Sequence, residues 1–343
     1  MGNSGRSLGD TEKINLFVPG DIYEMIEYDI RMFEVYSHKK TTPNRNRFIN
    51  MLIKSYHDLF VAENNGLRDE IAAALHRLSL SPNTEREIAE SLMQEVLQPI
   101  AQRGGKGSRM ISFKPWNDIG QIVELAKREM TAPQYFRRMI INYCRKPLCK
   151  REQIIFKTTY DQLCQKCRNR TPIIITTTWK PEMLHEVIPV SMSIGHEEMF
   201  NYLLCQEINQ YTHVPEARSY ALRRINGISD CKTTIELYET VEKHLKEMKK
   251  KGPQYAINDD ETICVRLTQK GQDYYQRIYF GRPVYSEIEE KPDGYYHYYQ
   301  CSMDQVLFYF RRFDPRTVEI LEPSSLREKM RIFFNNGIEV YKE

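Results

Sequence analysis

The sequence predicts a multidomain α+β protein, and three observations lead to this fold class. The chain has 343 residues, which is enough for two or three domains that each bury a core. Its first half carries apolar residues at helical spacing after one short alternating segment. Its second half contains several runs of β-branched and aromatic residues separated by turn signals.

The N-terminal segment predicts a short strand and then an amphipathic helix. From Lys13 to Val18, inward-facing apolar residues alternate with the outward-facing residues Lys13, Asn15 and Phe17. Pro19 ends this strand. Asp21 and Glu24 have capping-box spacing, and apolar residues at helical intervals continue the helix to about Tyr36.

A second helix is predicted from the Thr42-Pro43 dipeptide, with Thr42 as N-cap and Pro43 at the first helical position. One strand followed by two helices resembles the ribbon-helix-helix module. That resemblance implies a homodimer, because in this family two chains pair their N-terminal strands. It also implies that Lys13 and Asn15 enter the major groove of duplex DNA. Since Phe17 is a poor reader of bases, a module kept only for dimerisation is an equal alternative.

Positive charge is concentrated in the middle of the chain. Between Arg103 and Arg170 there are 16 Lys and Arg against 5 Asp and Glu, a net charge of +11, whereas the whole chain carries +3. Such a segment fits phosphates or another acidic surface, or else a solvated helical face. The glycine-rich stretch from Arg103 to Arg109 predicts a mobile basic loop, which either closes over a phosphate backbone with Lys106 and Arg109 or is an interdomain linker.

Two helix-like segments, Trp116 to Met130 and Pro133 to Arg145, follow the basic loop. The second interleaves cations with aromatic residues, a pattern that suits single-stranded nucleic acid. We expect most of these aromatic residues to be core. The Cys164-x-x-Cys167 pair lies in a predicted helix, and because no tightly spaced second pair accompanies it, no metal site is expected.

Four segments of the second half predict strands of a small barrel: Pro172–Thr178, Val187–Met192, Phe200–Cys205 and Arg218–Ile225. Two of them, Asn201-Tyr202-Leu203-Leu204 and Arg218-Ser219-Tyr220-Ala221-Leu222-Arg223-Arg224-Ile225, resemble the signature strands of the WYL domain. Asn201 stands where that family usually has Trp. The resemblance covers roughly Arg151 to Cys231 and implies an Sm-like β-barrel that binds nucleic acid or nucleotide-like ligands.

The candidate site is a polar groove on this barrel. Arg218 and Arg224 have the same strand parity, and two arginines cannot share an apolar core without partners, so we expect both at a surface that binds an anion. The neighbouring polar residues complete the groove: His185, Ser191, Ser193 and Tyr202, with Arg223 beside them. Salt bridges from the arginines to local carboxylates are the alternative.

A charged helix from Lys232 to Lys251 is predicted to connect the barrel to a last α+β domain. There, Lys291-Pro292-Asp293-Gly294 predicts a hairpin turn before a tyrosine-rich strand. The tyrosines either stack on bases or line a dimer interface, and we favour the interface. Residues Phe313 to Arg327 resemble the C-terminal extension of WYL regulators.

These assignments divide the chain into four parts. They are a ribbon-helix-helix-like module at 1–65, a helical basic linker region at 66–150, the WYL domain at 151–232, and a connector helix with a C-terminal α+β domain at 233–343. This order resembles the WYL accessory proteins encoded beside type VI-D CRISPR effectors. The resemblance implies a homodimer that binds single-stranded RNA and stimulates RNA-guided RNA cleavage by the effector ribonuclease. The alternative is a dimeric DNA-binding transcription regulator with a ligand-sensing WYL domain.

Other functions are not expected. The sequence has no phosphate-cradling glycine loop, nucleophile elbow or paired metal-ligand histidines, so neither catalysis nor a cofactor is predicted. No apolar run is long enough for a membrane span, and the N-terminus has no signal-peptide core. Eight scattered cysteines are typical of reduced thiols, so we expect a cytoplasmic protein without a membrane partner.

Overall fold

A computed structural model describes residues 12–37, 42–77, 81–101, 107–209, 213–231, 236–257 and 261–340. The described residues form eleven α-helices and three antiparallel sheets, so the predicted α+β class is confirmed. The chain divides into two compact units, Met1–Thr158 and Thr159–Glu343. Within the described ranges, no helix is both long and apolar enough to cross a membrane.

The first unit is mainly helical. Its elements are β1 (Ile14–Val18), α1 (Gly20–Met32), α2 (Arg45–His76), α3 (Pro82–Ala101), β2 (Arg109–Phe113), α4 (Gly120–Glu129), α5 (Ala132–Cys144) and α6 (Leu148–Ile155). The helix α2 is continuous across residue 65 and α6 contains residue 151, so both predicted boundaries fall inside helices of this unit.

The strand β1 pairs within its own chain. It runs antiparallel to β2, with Leu16 opposite Ile111 and Phe17 opposite Met110. The sequence did not predict β2. The expectation that β1 pairs with the same strand of a second chain is therefore wrong, because its partner strand lies in its own chain. Arg137 of α5 donates a hydrogen bond to the Phe17 carbonyl, which ties that helix to β1. The homodimer stays a prediction. Because β1 already has a partner strand in its own chain, pairing of β1 between two chains no longer supports it.

Two helices begin at different residues from those predicted. The helix α1 starts at Gly20 with Pro19 as N-cap and without a capping side chain, so Asp21 does not cap it. The helix α2 starts at Arg45, where the Asn44 side chain accepts a hydrogen bond from the Arg47 backbone N–H. Pro43 instead forms an isolated bridge with Tyr36.

Side-chain amides on α2 hold the chain that follows β2. The buried Asn50 donates to the Lys114 carbonyl at 3.0 Å and accepts from the Trp116 backbone N–H at 2.7 Å. The Asn46 amide oxygen accepts from the Lys114 N–H. These bonds take the place of a strand partner and satisfy backbone groups of an irregular segment.

The core of the first unit contains a buried charged network. Asp29 of α1 is fully buried and makes a bidentate contact with Arg151 of α6, at 2.7 and 2.9 Å. The Tyr143 hydroxyl also donates to Asp29. The aromatic residues Tyr135, Phe136 and Tyr143 are all buried, so the expectation that they are core is confirmed.

The second unit begins with α7 (Lys157–Asn169) and a five-stranded antiparallel sheet. The strands are β3 (Ile173–Thr177), β4 (His185–Ile194), β5 (Asn201–Ile208), β6 (Pro215–Ala221) and β7 (Ile225–Asp230). Their order is β6-β5-β4-β3-β7, so the last strand returns to pair with the first. The assignment of this sheet as an Sm-like barrel stays a prediction.

One predicted strand is two strands. The segment Arg218–Ile225 is interrupted by a 3-10 turn at Leu222–Arg224, between β6 and β7. The helix α8 (Glu239–Lys251) packs Val241, Leu245 and Met248 against Leu204 of β5.

The C-terminal part contains a second sheet. Its elements are β8 (Ile263–Leu267), α9 (Gln269–Arg277), β9 (Glu287–Lys291), β10 (Gly294–Tyr299), α10 (Met303–Phe310), β11 (Val318–Glu322) and α11 (Ser324–Val340). The strand order is β11-β8-β10-β9. The predicted hairpin forms between β9 and β10, although the sequence did not predict β9.

The tyrosines of β10 divide between its two faces. Tyr299 is fully buried in the aromatic core. On the other face, the Tyr296 hydroxyl donates to Asp293 and the Tyr298 hydroxyl donates to Glu289. Whether this face meets a second copy of the chain stays a prediction.

Candidate nucleic-acid interface

The predicted site residues are divided between the two faces of the five-stranded sheet. Residues paired directly across antiparallel strands lie on the same face. Arg218 is opposite Cys205, whereas Ser193 is opposite Tyr202 and Ser191 is opposite Leu204. Because Cys205 lies between Leu204 and Gln206 in a continuous strand, its face is the opposite one. The single polar groove predicted from the sequence therefore does not form.

A β-bulge is the reason for this separation. The pairing shifts between Pro189, which is opposite Cys205, and Ser191, which is opposite Leu204. The extra residue turns Ser191 and Ser193 to the face that α8 covers. Counting every second residue from His185 places the serines with His185, and the prediction was wrong because this count did not allow for a bulge at Pro189.

His185 and Arg218 belong to one cluster of polar and charged side chains around Glu207. Glu207 of β5 is 8% exposed. Its Oε2 accepts from the Tyr220 hydroxyl at 2.6 Å, and its Oε1 lies 2.7 Å from His185 Nδ1. Arg218 Nε lies 3.7 Å from the same carboxylate. The buried negative charge is stabilised by these three partners.

Arg218 also pairs with a second carboxylate, because its Nη2 lies 2.5 Å from Glu216 Oε2. The two carboxylates together exceed the single guanidinium charge, so the charge of Arg218 is already compensated within the cluster. Arg218 thus takes the alternative that the sequence left open, salt bridges to local carboxylates. Burial raises the pKa of Tyr220, which keeps its hydroxyl protonated as a donor to Glu207.

Arg223 and Arg224 lie on the 3-10 turn and contact different aromatic rings. The Arg223 guanidinium lies 4.1 Å from the ring centroid of Phe200, which is buried. The Arg224 guanidinium lies 3.8 Å from the ring centroid of Trp179, which is 67% exposed. The turn breaks the strand parity on which the pairing of Arg224 with Arg218 was based, so the two arginines do not share a strand face.

The remaining predicted residues lie in the first unit. Arg109 of β2 pairs with Glu24 at 2.9 Å and lies over the Tyr23 ring. Lys13 and Asn15 are exposed and line a groove of about 840 Å³ that also contacts α4 and α5. Lys106 lies outside the described residues.

The outward face of the β1–β2 ribbon is partly apolar. It carries Asn15 opposite Ser112 and Phe17 opposite Met110, and Met110 is 51% exposed. Asn15 and Ser112 are the polar pair on this face. Few of its side chains can therefore read base edges.

Many cations of the basic middle have structural roles. The buried Arg137 donates a hydrogen bond to the Phe17 carbonyl. Lys146 pairs with Glu63, and Arg151 pairs with Asp29. Exposed cations without an ion pair among the described residues are Arg128, Arg145, Lys150 and Arg168. The charge that a nucleic acid could meet is therefore smaller than the sequence count indicated.

The cysteines and carboxylates do not assemble a metal centre in the described part of the chain, where no group of three or more potential ligands is close enough. Cys164 and Cys167 lie on α7, and burial raises the pKa of Cys167 to about 12. Cys144 and Cys149 are buried in the first unit.

Sequence reasoning missed Glu207 and Trp179. Glu207 could have been found as an acidic residue in a strand of apolar residues, because a buried carboxylate needs partners. Trp179 could have been found as one of two tryptophans, placed in a polar segment between Thr178 and Lys180 directly after a β-branched strand.

Comparisons with known proteins show a shared fold. No protein-family model and no curated protein matches the chain. A solved structure of a CRISPR Cas-related protein is similar over 96% of this chain and 94% of that one, with a TM-score of 0.69 and 18% identity. The proteasome accessory factor B/C of Arthrobacter aurescens overlaps 62% of this chain and 33% of its own at 13% identity. Its TM-score of 0.25 is too low to indicate a shared fold.

Proposed function

We propose that this chain is an accessory protein of a CRISPR system that binds single-stranded RNA. In this proposal it stimulates RNA-guided RNA cleavage by a type VI-D effector ribonuclease. The observation that carries the proposal is the agreement in fold, nearly from end to end, with a CRISPR Cas-related protein. The WYL-like signature strands, which form β5 and β6 with the adjoining 3-10 turn, support it.

The exposed cations supply the chemistry for binding a phosphate chain. Arg128, Arg145, Lys150 and Arg168 are exposed, and Arg224 lies beside an exposed indole. Cations at a surface attract phosphates, and aromatic residues stack on bases that are not held in a duplex. Arg218 is not included among these cations, because Glu207 and Glu216 engage its guanidinium.

We propose that the chain acts without catalysis of its own and as a homodimer. The sequence contains none of the motifs that hold a nucleophile, a phosphate or a catalytic metal. A stimulating protein needs only to bind RNA or the effector and to shift its conformation or RNA occupancy.

A dimeric DNA-binding transcription regulator is the competing function. Its DNA reader would be the outward face of the β1–β2 ribbon. Phe17 and Met110 occupy half of this face, so the face offers little base-reading chemistry. RNA binding is thus the better supported of the two functions.

A cleavage assay tests the proposed function. A type VI-D effector with its guide RNA and a target RNA is incubated with and without this protein, and the cleavage rate is measured. We expect faster cleavage with the protein present, and intact RNA when the protein is incubated alone. An unchanged rate at saturating protein would refute the accessory function, and RNA degradation by the protein alone would show catalysis.

A further inference from the structure

Trp179 is held in an exposed position by the backbone around it. It lies two residues after the end of β3, and the preceding Thr178 N–H donates to the Arg224 carbonyl at 2.9 Å. The Lys180 N–H donates to Thr177 Oγ1 at 3.4 Å. These two bonds fix the chain on both sides of Trp179 to the end of β3 and to the 3-10 turn. The main chain that carries the indole is therefore fixed before any ligand binds.

The contacts of this indole leave most of it accessible. The Arg224 guanidinium lies 3.8 Å from the ring centroid, close enough for a cation–π contact on one face. The side chain is nevertheless 67% exposed. Tryptophan is large and apolar, and its exposure to water is unfavourable relative to contact with another flat ring. A second planar group stacked on the indole would remove this exposed surface from water.

The charges beside the indole select the kind of planar group. Arg224 stacks on the ring, and Lys180 is exposed and adjacent in the chain. A flat aromatic group that carries a phosphate satisfies both features, since it can stack on the indole while a cation contacts the phosphate. Bases in a duplex already stack on their neighbours, so only an unpaired base is available.

We propose that Trp179 and Arg224 form a stacking platform for one unpaired nucleobase of a single-stranded nucleic acid. This inference rests on the proposed function and names the place on the second unit where the strand is held. Arg223, the neighbour of Arg224, contacts the buried Phe200 ring instead and helps to hold the turn. Of these two neighbouring arginines, Arg224 thus contributes to binding the nucleic acid, whereas Arg223 stabilises the fold.

Trp179 fluorescence tests the platform directly. The chain has two tryptophans, and Trp116→Phe leaves Trp179 as the sole reporter while keeping the backbone N–H that bonds to Asn50. A fluorescein-labelled single-stranded RNA, the matching single-stranded DNA and an abasic strand with the same number of phosphates are added, and anisotropy reports binding. Unlabelled strands are used for the quenching series, because a stacked base quenches indole fluorescence.

We expect RNA to quench Trp179, whereas the abasic strand binds more weakly and does not quench. Quenching by RNA and DNA alike would support the platform and assign RNA selectivity to other residues. In the wild-type background, Trp179→Ala should weaken RNA binding about tenfold or more. Tyr279→Ala is the matched control, because Tyr279 is 71% exposed, and it should change affinity less than about twofold.

Two results would overturn the platform in distinguishable ways. RNA that binds by anisotropy without quenching Trp179 refutes the platform and leaves the proposed function standing. A chain that binds neither RNA nor DNA at low salt refutes both.

Discussion

Arg218 Nη2 lies 2.5 Å from Glu216 Oε2, and this ion pair determines which interactions remain open to Arg218 of the five-stranded sheet. The Arg218 side chain is 40% exposed, so the residue is accessible, but its charge is already met by two carboxylates. An RNA phosphate would have to compete with both. The pair therefore predicts a structural function for Arg218.

A charge-neutral double substitution tests this prediction. Arg218→Gln with Glu216→Gln removes one positive and one negative charge, so the net charge of the protein is unchanged. We expect RNA affinity within about twofold of wild type, whereas Arg224→Gln should weaken binding about fivefold or more. Fluorescence anisotropy at fixed salt measures both. A larger loss of RNA affinity in the double variant than in Arg224→Gln would show that Arg218 belongs to the binding site.

The buried pair of Asp29 and Arg151 should dominate the stability of the first unit. Asp29→Asn leaves the Arg151 guanidinium buried without its counter-charge, which typically costs about 3–5 kcal/mol. The matched control is Asp118→Asn, which breaks the exposed pair with Lys54 and should cost less than about 1 kcal/mol. Urea unfolding followed by tryptophan fluorescence measures the difference, and equal effects would contradict this account of the core.

The stability of the second unit should decrease in acid because of His297. This side chain is fully buried, and burial lowers the pKa of its imidazole from 6.5 to about 4. The unfolded chain then binds more protons between those values, so the free energy of unfolding falls as the pH drops from about 6.5 to about 4 and levels off below. The contribution of this one group is at most about 3 kcal/mol.

His297→Gln removes this titration and isolates its effect. We expect the variant to lose less stability than wild type when the pH is lowered from 7 to 4, because the other groups titrate in both proteins. Urea midpoints at several pH values provide the comparison. Parallel curves for the two proteins would mean that His297 does not resist protonation in the folded state.

Two glycine substitutions should change the stability of the protein in opposite directions. Gly294 has a φ of +143°, and a Cβ there would lie 2.3 Å from the Leu267 carbonyl oxygen, so Gly294→Ala should destabilise the β9–β10 hairpin. Gly337 lies in α11 with open space around it, so Gly337→Ala should stabilise by about 0.5–1 kcal/mol. Thermal melts of the two variants check both signs, and destabilisation by Gly337→Ala would mean that α11 is not helical at this position.

The sequence was sufficient wherever periodicity and turn chemistry agree. The predicted N-terminal strand forms as β1 (Ile14–Val18), and the predicted hairpin forms between β9 and β10, because clear alternation or clear turn residues mark both. The strand Arg109–Phe113 was missed because it is short and follows the glycine-rich stretch. Ile111 and Phe113 alternate with Ser112, which was the available signal.

The candidate site was harder to predict because it depends on two breaks in regular pairing. The bulge after Pro189 reverses the face of Ser191, and the 3-10 turn after Ala221 separates Arg224 from Arg218. Pro189 was an available signal for the bulge, because proline within a sheet occurs mainly at edges and bulges, whereas no comparable signal was found for the 3-10 turn. The acidic partners of Arg218 come from register, which places Glu216 opposite Glu207, and register is a property of the folded sheet.

The most direct test of the central proposal is the affinity of the wild-type protein for three nucleic acids over a series of salt concentrations. Fluorescence anisotropy is measured with a single-stranded RNA, the matching single-stranded DNA and a duplex DNA. The account predicts tightest binding to the single-stranded RNA, with an affinity that falls steeply as salt rises. Binding to duplex DNA alone would contradict this account. It would instead favour a transcription regulator that binds DNA through the β1–β2 ribbon.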